Sequence, residues 1–191
     1  MQLILASQSP RRRELMGLFS LPFVIRTQAV DETMTPGEDP RDGVARLSRS
    51  KAMAVAREPE DTVIGADTVV VCQGKVLGKP RNPEEAVEML SLLSGRTHTV
   101  MTGLTVCRGT RCVTVTEVTE IRFRSLSREE IERYVRTGEP LDKAGAYGIQ
   151  GGGALFVEHI RGDYYNVVGL PVCRLWQLLR QVAPEWMEDT Q

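Results

Sequence analysis

Short apolar runs, many of them rich in β-branched residues, recur along the chain and predict β-strands. Turn residues join some of these runs. Gln73-Gly74 separates two of them, and Gly109-Thr110 lies at the centre of a long predicted hairpin. The predicted strands cover residues 3–5, 23–25, 62–72, 75–77, 98–107, 112–123 and 154–160.

Between these runs, apolar residues recur at the three- and four-residue spacing of amphipathic helices. Two helix starts have the spacing of a capping box, Asn82 with Glu85 and Ser127 with Glu130. Gly95 is a natural helix stop. The predicted helices are one that begins at residue 10 and others over residues 40–57, 83–94, 128–138 and 171–182.

Helices and strands occur in mixed order along the chain, which favours an α/β fold. We expect a central mixed, strongly twisted sheet flanked by helices, in two lobes around a cleft. The length of 191 residues suits one domain, predicted over residues 1–183. Residues 184–191 are predicted to be a flexible C-terminal tail.

Composition narrows the class of protein. Hydrophobic residues make up 41% of the chain and charged residues 26%, and the net charge of -1 argues against a general nucleic-acid binder. No apolar run approaches the length of a membrane span, and the N-terminus runs into a strand without a signal-peptide pattern. We therefore expect a cytoplasmic protein with no membrane association.

The cysteines and histidines argue against a structural zinc site. The chain has four cysteines without a CxxC pair, and neither of its two histidines lies at metal spacing from one. Reduced, mostly buried thiols are expected. His98 and His159 are expected to be structural, and no serine or cysteine nucleophile has a supporting motif.

Three arginines follow Ser9 and Pro10, which suit the N-cap and first position of a helix. Arginines are electrostatically unfavourable at a helix start unless an anion such as a polyphosphate lies there. Arg11 and Arg12 are therefore candidate phosphate ligands. An exposed basic turn is the alternative.

Two charged residues occupy predicted inward-facing positions. Asp67 lies within an apolar strand, where an ionised carboxylate is costly unless it is paired or bound to metal. It is a candidate metal ligand or general base, and a buried ion pair is the structural alternative. Lys51 shares the helix face of Leu47 and Val55, so it needs an acidic or phosphate partner unless it extends to the surface.

Other candidates lie in predicted loops. Glu32 could bind a metal or be merely solvated, and Lys79 could bind phosphate or lie in a solvated loop. The glycines of residues 145–153 would let the backbone approach a ligand, but they match no established phosphate motif. Gln150 offers an amide donor and acceptor side by side, suited to the imide edge of uracil or thymine.

Together these segments resemble the Maf family of nucleoside triphosphate pyrophosphatases, over nearly the whole chain to about residue 182. Several distinct motifs occur in the family's order. They are Leu5-Ala6-Ser7-Gln8-Ser9-Pro10-Arg11-Arg12, Gly65-Ala66-Asp67-Thr68-Val69-Val70, Gly78-Lys79-Pro80, Leu93-Ser94-Gly95-Arg96-Thr97-His98, Asp142-Lys143-Ala144-Gly145-Ala146-Tyr147-Gly148-Ile149-Gln150-Gly151 and Asn166-Val167-Val168-Gly169-Leu170-Pro171.

The resemblance implies a Maf/ITPase-like fold and cleavage of the α–β phosphoanhydride bond of a nucleoside triphosphate, here dTTP, UTP and modified pyrimidine nucleotides, in a house-cleaning role. It also implies a divalent cation, Mg²⁺ or Mn²⁺, and a cytoplasmic homodimer. A nucleotide-binding regulator of septum formation that does not hydrolyse its ligand is the alternative function.

The resemblance also implies roles for particular residues. Asp67 matches the family's catalytic proton acceptor, and Glu32 joins it as a candidate metal ligand. The remaining candidates bind substrate or set its specificity: Arg12, Thr68 and Gln150 match the specificity positions of the dTTP/UTP branch, Lys51 and Lys79 match cleft positions, and Ser7 and Arg11 belong to the N-terminal motif.

Overall fold

A computed structural model describes residues 1–187 of the chain. Seven strands form one sheet. Six of them follow the order β2-β1-β3-β5-β6-β7, and the seventh, β4, pairs with β3. The strands are β1 (Leu3–Leu5), β2 (Val24–Ile25), β3 (Thr62–Cys72), β4 (Lys75–Leu77), β5 (Thr97–Arg108), β6 (Arg111–Phe123) and β7 (Val157–Arg161).

The sheet is mixed. β1 pairs in parallel with both β2 and β3, with Leu3 opposite Thr62 and Leu5 opposite Ile64, whereas β4 is antiparallel to β3 and β7 is antiparallel to β6. All three residues of β1 are buried, as expected for a strand between parallel neighbours. The predicted α/β class with a mixed sheet is confirmed.

Six α-helices accompany the sheet within the described residues. They are α1 (Pro10–Met16), α2 (Pro40–Val55), α3 (Pro83–Leu93), α4 (Arg128–Val135), α5 (Tyr164–Val168) and α6 (Val172–Val182). Short 3-10 helices occur at Gly17–Phe19, Glu139–Asp142, Ala144–Ala146, Gly152–Phe156 and Pro184–Met187.

Capping explains where several helices begin. Ser127 and Glu130 form the predicted capping box at α4. At α3, Asn82 accepts a hydrogen bond from the Glu85 amide as predicted, but the reciprocal half of that box is absent. The Glu85 carboxylate accepts instead from the backbone and side chain of Arg81, because a guanidinium one residue before the cap competes for it.

The strand predicted over residues 154–160 begins later than expected. Gly152–Phe156 is a 3-10 helix, and β7 starts at Val157. Phe156 is buried in an aromatic cluster with Phe123 and Tyr134, so this apolar segment is held by side-chain packing before strand pairing begins.

The expectation of four reduced thiols is wrong. Cys107 and Cys112 form a disulfide, while Cys72 is free and buried and Cys173 is free and exposed. The two bonded cysteines lie on β5 and β6, on either side of the tight turn at Gly109-Thr110. Strand pairing across that turn brings their Cα atoms to 4.1 Å, although five positions separate them in sequence.

The chain forms two compact units. Unit 1 comprises Met1–Asp67, Thr102–Glu117 and the chain from Gly169 on, and unit 2 comprises Thr68–Met101 and Val118–Val168. In unit 1, the disulfide packs with Ile4, Ala52 and Val63. In unit 2, residues of α3 and α4 pack into an apolar core with Ile121, Phe123 and Phe156.

Two further predictions concern the chain end and membranes. The predicted flexible segment includes Pro184–Met187, where Trp186 donates a hydrogen bond to Thr62 and Glu185 pairs with Arg108, and residues 188–191, which lie outside the described residues. Within residues 1–187, every helix is too short or too polar to span a bilayer.

Candidate active site

Asp67 and Lys51 form a close ion pair in unit 1. Asp67 lies at the middle of β3, and Lys51 projects from the face of α2 that also buries Leu47 and Val55. Lys51 Nζ donates to Asp67 Oδ1 at 2.6 Å, and the two side chains are 13% and 11% exposed. The inward orientation predicted for Lys51 is confirmed, and Asp67 forms the buried ion pair that was its structural alternative.

Glu32 approaches the same ammonium group from the loop that precedes α2. Its Oε1 lies 3.1 Å from Lys51 Nζ, and its side chain is 63% exposed. One cation thus contacts two carboxylates, one buried in the sheet and one near solvent. This explains how a carboxylate is tolerated within an apolar strand, because its charge is paired at hydrogen-bond distance.

The two carboxylates suit a hard divalent cation. Mg²⁺ takes oxygen ligands, keeps several waters, and is commonly held by one or two carboxylates together with substrate phosphates. In residues 1–187, no group of three or more His, Cys, Asp or Glu side chains is arranged to hold a metal. Asp67 and Glu32 therefore fit a cation whose remaining ligands are water and phosphate.

Arg12 is held in a defined orientation at the start of α1. Its Nε donates to the Gly169 carbonyl at 2.8 Å and its Nη1 donates to Ser7 Oγ at 3.2 Å, while Ser9 caps the helix by accepting from the Arg12 amide. These contacts fix the guanidinium, so Arg12 does not belong to a freely exposed basic turn.

Electrostatics link Arg12 to the acidic residues of unit 1. Burial lowers the pKa of the Arg12 guanidinium, and the charges of Asp67 and Glu32 oppose that shift. The neighbouring Arg11, partly buried, lowers the pKa of Arg12 further. A second cation beside Arg12 favours binding of an anion with several negative charges.

The other predicted site residues belong to unit 2. Lys79 is exposed after β4, Thr68 is partly buried in β3, and Gln150 is exposed in the glycine-rich loop. The amide of Gly145, at the start of that loop, donates to the carbonyl of Gly78 at 3.0 Å. The backbone on which Lys79 lies is therefore bonded to the loop that carries Gln150.

Sequence analysis missed two residues that shape this loop, Tyr134 and Glu139. The Glu139 carboxylate accepts from the Tyr134 hydroxyl at 2.8 Å and from the Gly152 amide at 3.0 Å. The sequence predicts that the glycines of the loop leave room for a ligand, whereas in the structure Gly151 and Gly152 leave room for these two side chains. The signal in sequence is only a carboxylate shortly before a run of glycines.

Comparison with known proteins agrees with the motifs quoted above. The family described as Maf-like protein matches residues 2–182. Proteins named "dTTP/UTP pyrophosphatase" from Bacillus cereus (strain G9842) and Bacillus anthracis are each 52% identical to this chain over 181 residues, which cover 94% of this chain and 95% of theirs.

Similarity to solved structures is weaker. The Staphylococcus aureus Ham1 protein has a TM-score of 0.46 and 14% identity, over 64% of this chain and 72% of that chain. The family assignment rests instead on the sequence match, which extends over both compact units. This chain belongs to the Maf family.

Proposed function

We propose that this protein hydrolyses dTTP and UTP, and modified pyrimidine triphosphates of the same shape, to the monophosphate and pyrophosphate. Relatives that bear the name dTTP/UTP pyrophosphatase match almost the whole chain at 52% identity. The observation that carries the proposal is the contact of Lys51 with both Asp67 and Glu32, in the unit where Arg12 is fixed. Such a set of cations and acids suits a polyphosphate and an attacking water.

The cations bind and stabilise the phosphate chain. Arg12 and Lys51, with Arg11 and Lys79, donate to phosphate oxygens and offset the negative charge that develops on the leaving pyrophosphate. Ser7 Oγ accepts a hydrogen bond from Arg12 Nη1 and so holds the guanidinium group in place. Because Arg12 is already hydrogen-bonded in place, little reorganisation is needed when the substrate binds.

The acids act on the water. Its oxygen attacks the α-phosphorus, the bond from that phosphorus to the bridging oxygen breaks, and the electron pair leaves with pyrophosphate. Asp67 either accepts the water's proton or, together with Glu32, holds Mg²⁺ or Mn²⁺. When bound, such a cation neutralises phosphate charge and lowers the pKa of a coordinated water.

Gln150 is proposed to recognise the base. Its side-chain carbonyl accepts from the imide N–H of uracil or thymine, while its amide group donates to the neighbouring carbonyl. Cytosine presents an acceptor and a donor in the opposite order, so it leaves polar groups unpaired. Arg12 and Thr68 join Gln150 as the specificity positions.

The test is a nucleotide panel assayed for both products. Wild-type protein with Mg²⁺ is expected to release equimolar monophosphate and pyrophosphate from UTP and dTTP, faster than from CTP, ATP or GTP. EDTA should stop the reaction, and added Mg²⁺ or Mn²⁺ should restore it. Tight UTP binding without product would support the non-hydrolytic regulator instead.

Asp67→Asn is the matched variant for this assay. It keeps the size of the side chain and removes the charge, so turnover should fall by about 10²–10⁴-fold while circular dichroism remains that of the folded protein. Wild-type rates in the purified variant would contradict the role of Asp67.

A homodimer in the cytoplasm belongs to the same proposal and is supported by the family resemblance. Size-exclusion chromatography with light scattering tests the dimer, for which a mass near twice 21.2 kDa is expected.

A further inference from the structure

The turn that carries Gln150 is hydrogen-bonded at both ends to the same pair of side chains. The turn closes through a bond from the Gly151 amide to the Gly148 carbonyl at 3.2 Å. The Gly148 amide donates to the Tyr134 hydroxyl at 3.0 Å, and the Gly152 amide donates to Glu139 Oε2 at 3.0 Å.

Tyr134 and Glu139 are themselves bonded, which closes a ring. The Tyr134 hydroxyl donates to Glu139 Oε1 at 2.8 Å. Tyr134 therefore bonds to the start of the turn, Glu139 bonds to its end, and the two side chains bond to each other. Burial raises the pKa of Tyr134, which keeps its hydroxyl protonated and able to donate. The ring lies wholly in unit 2.

The Glu139 side chain packs closely against the same turn. A Cβ at Gly151 would overlap the Glu139 carboxylate, and one at Gly148 would lie 2.9 Å from Glu139 Oε1. Ile149, directly before Gln150, is buried. Gln150 is thus an exposed side chain on a backbone that is fixed on both sides.

Several contacts fix the position of Tyr134, as its bond to the turn requires. It lies on α4, whose start is fixed by the Ser127–Glu130 capping box, and its ring packs edge-on against Phe156 at 5.0 Å between centroids. Its backbone carbonyl also accepts from the Thr137 hydroxyl, which orders the chain leading to Glu139.

We propose that Tyr134 and Glu139 are positioning residues that hold the backbone of Gln150 where its side chain can meet the base, and that they thereby support selectivity for uracil and thymine over cytosine. The inference rests on the proposed function, since it needs Gln150 to contact the base. Recognition by an amide depends on the distance and direction from which its donor and acceptor approach the base edge. A backbone that is hydrogen-bonded at both ends of the turn keeps the Cα of Gln150 in one place, so its side chain extends to the base from one defined position.

The test compares kcat/KM for UTP and CTP in Tyr134→Phe. This change keeps the ring and its packing, and it removes the hydroxyl that bonds to Gly148 and Glu139. The UTP-to-CTP ratio is expected to fall by about tenfold or more, because small misplacements of a recognising group are costly. A role limited to stability would lower both values together and leave the ratio unchanged.

Tyr147→Phe is the matched control. It also removes a buried tyrosine hydroxyl in unit 2, but that hydroxyl bonds to His98 Nε2 at 2.9 Å and not to the turn. We expect its UTP-to-CTP ratio to equal that of wild type. An equal fall in both variants would overturn the proposal.

A double-mutant cycle with Gln150→Ala tests whether Tyr134 acts through Gln150. Tyr134→Phe should lower the ratio in the wild-type background and leave it unchanged in the Gln150→Ala background. A further fall there would show that Tyr134 acts by another route and would contradict the proposal. If Tyr134→Phe does not fold, Glu139→Gln takes its place in the cycle. Glutamine replaces one of the two carboxylate oxygens by an NH2 group, which cannot accept the bond from Tyr134 or from Gly152 that this oxygen accepts.

The outcomes separate this inference from the proposed function. Absence of UTP hydrolysis by the wild-type protein would refute the function. If the protein hydrolyses UTP, and Gln150→Ala lowers the UTP-to-CTP ratio while Tyr134→Phe leaves it unchanged, only the positioning role is refuted.

Discussion

At the scale of single residues, the ammonium group of Lys51 pairs with two carboxylates in unit 1. It contacts Asp67 and Glu32, and both side chains of the Lys51–Asp67 pair are shielded from solvent. Removing one partner of a buried ion pair leaves an uncompensated charge, which costs more than the pair itself contributes. The same ammonium is the group proposed to meet phosphate oxygens, so its structural and catalytic roles are joined.

Lys51→Met is therefore expected to destabilise the protein by about 3–5 kcal/mol near neutral pH. The cause is the buried charge of Asp67, so adding Asp67→Asn to Lys51→Met should recover a large part of that loss. Urea unfolding of wild type, both single variants and the double variant measures this coupling. If the double variant is no more stable than Lys51→Met, the pair does not carry this energy.

At the scale of elements, α2 must lie very close to the sheet for Lys51 to reach Asp67. A Cβ at Gly65 on β3 would overlap the Ser48 carbonyl, and a Cβ at Gly103 on β5 would overlap the Val44 carbonyl. Both clashes are with the backbone of α2, which cannot move aside as a flexible side chain can. The two glycines thus set the distance between the helix and the strands.

Gly65→Ala should displace α2 and cost about 3 kcal/mol or more, at the upper end of the usual range for overpacking. Because Gly65 lies two residues before Asp67 on β3, the shift should also lower kcat for UTP among the molecules that remain folded.

Gly17→Ala is the control for this prediction, since a Cβ there meets no atom within 4 Å and its φ of -61° is helical. It should be neutral or slightly stabilising. Thermal unfolding and UTP turnover of both variants provide the comparison, and equal stability of the two would contradict the proposed close approach.

At the scale of the whole molecule, a buried histidine makes stability depend on pH. His98 is 2% exposed, its Nε2 bonds to the Tyr147 hydroxyl, and burial lowers its pKa to about 4. In the unfolded chain a histidine binds its proton near pH 6.5. The unfolded state therefore binds more protons between these two values, and stability falls as the pH falls through that window.

This histidine alone should lower the free energy of unfolding by about 3 kcal/mol between pH 7 and pH 4. His98→Gln removes the titrating group, so its stability should fall less than that of wild type over the same range. Tyr147→Phe keeps the buried imidazole and should retain the wild-type slope. Identical slopes for His98→Gln and wild type would refute the assignment, and urea unfolding across this pH range measures all three.

Local chemistry made much of the molecule predictable. Alternation of apolar runs and helical spacing located β3, β5, β6 and α2, and Ser127 with Glu130 identified the start of α4. These features depend on neighbours within a few residues, so a single sequence contains them. Asp67 likewise lies in a family motif, and the helical spacing of Lys51 with Leu47 and Val55 predicted its inward orientation.

Contacts between residues of different structural elements left no local pattern from which they could be predicted. The pairing of Lys51 with Asp67, the Cys107–Cys112 disulfide and the bonds of Tyr134 and Glu139 to the glycine-rich loop each depend on how elements pack. By itself, the sequence determined the elements, the residue types available for chemistry and the family, because these follow from local spacing and composition. Only the tertiary structure decided which charges and donors meet, because that choice depends on elements brought together from separate parts of the chain.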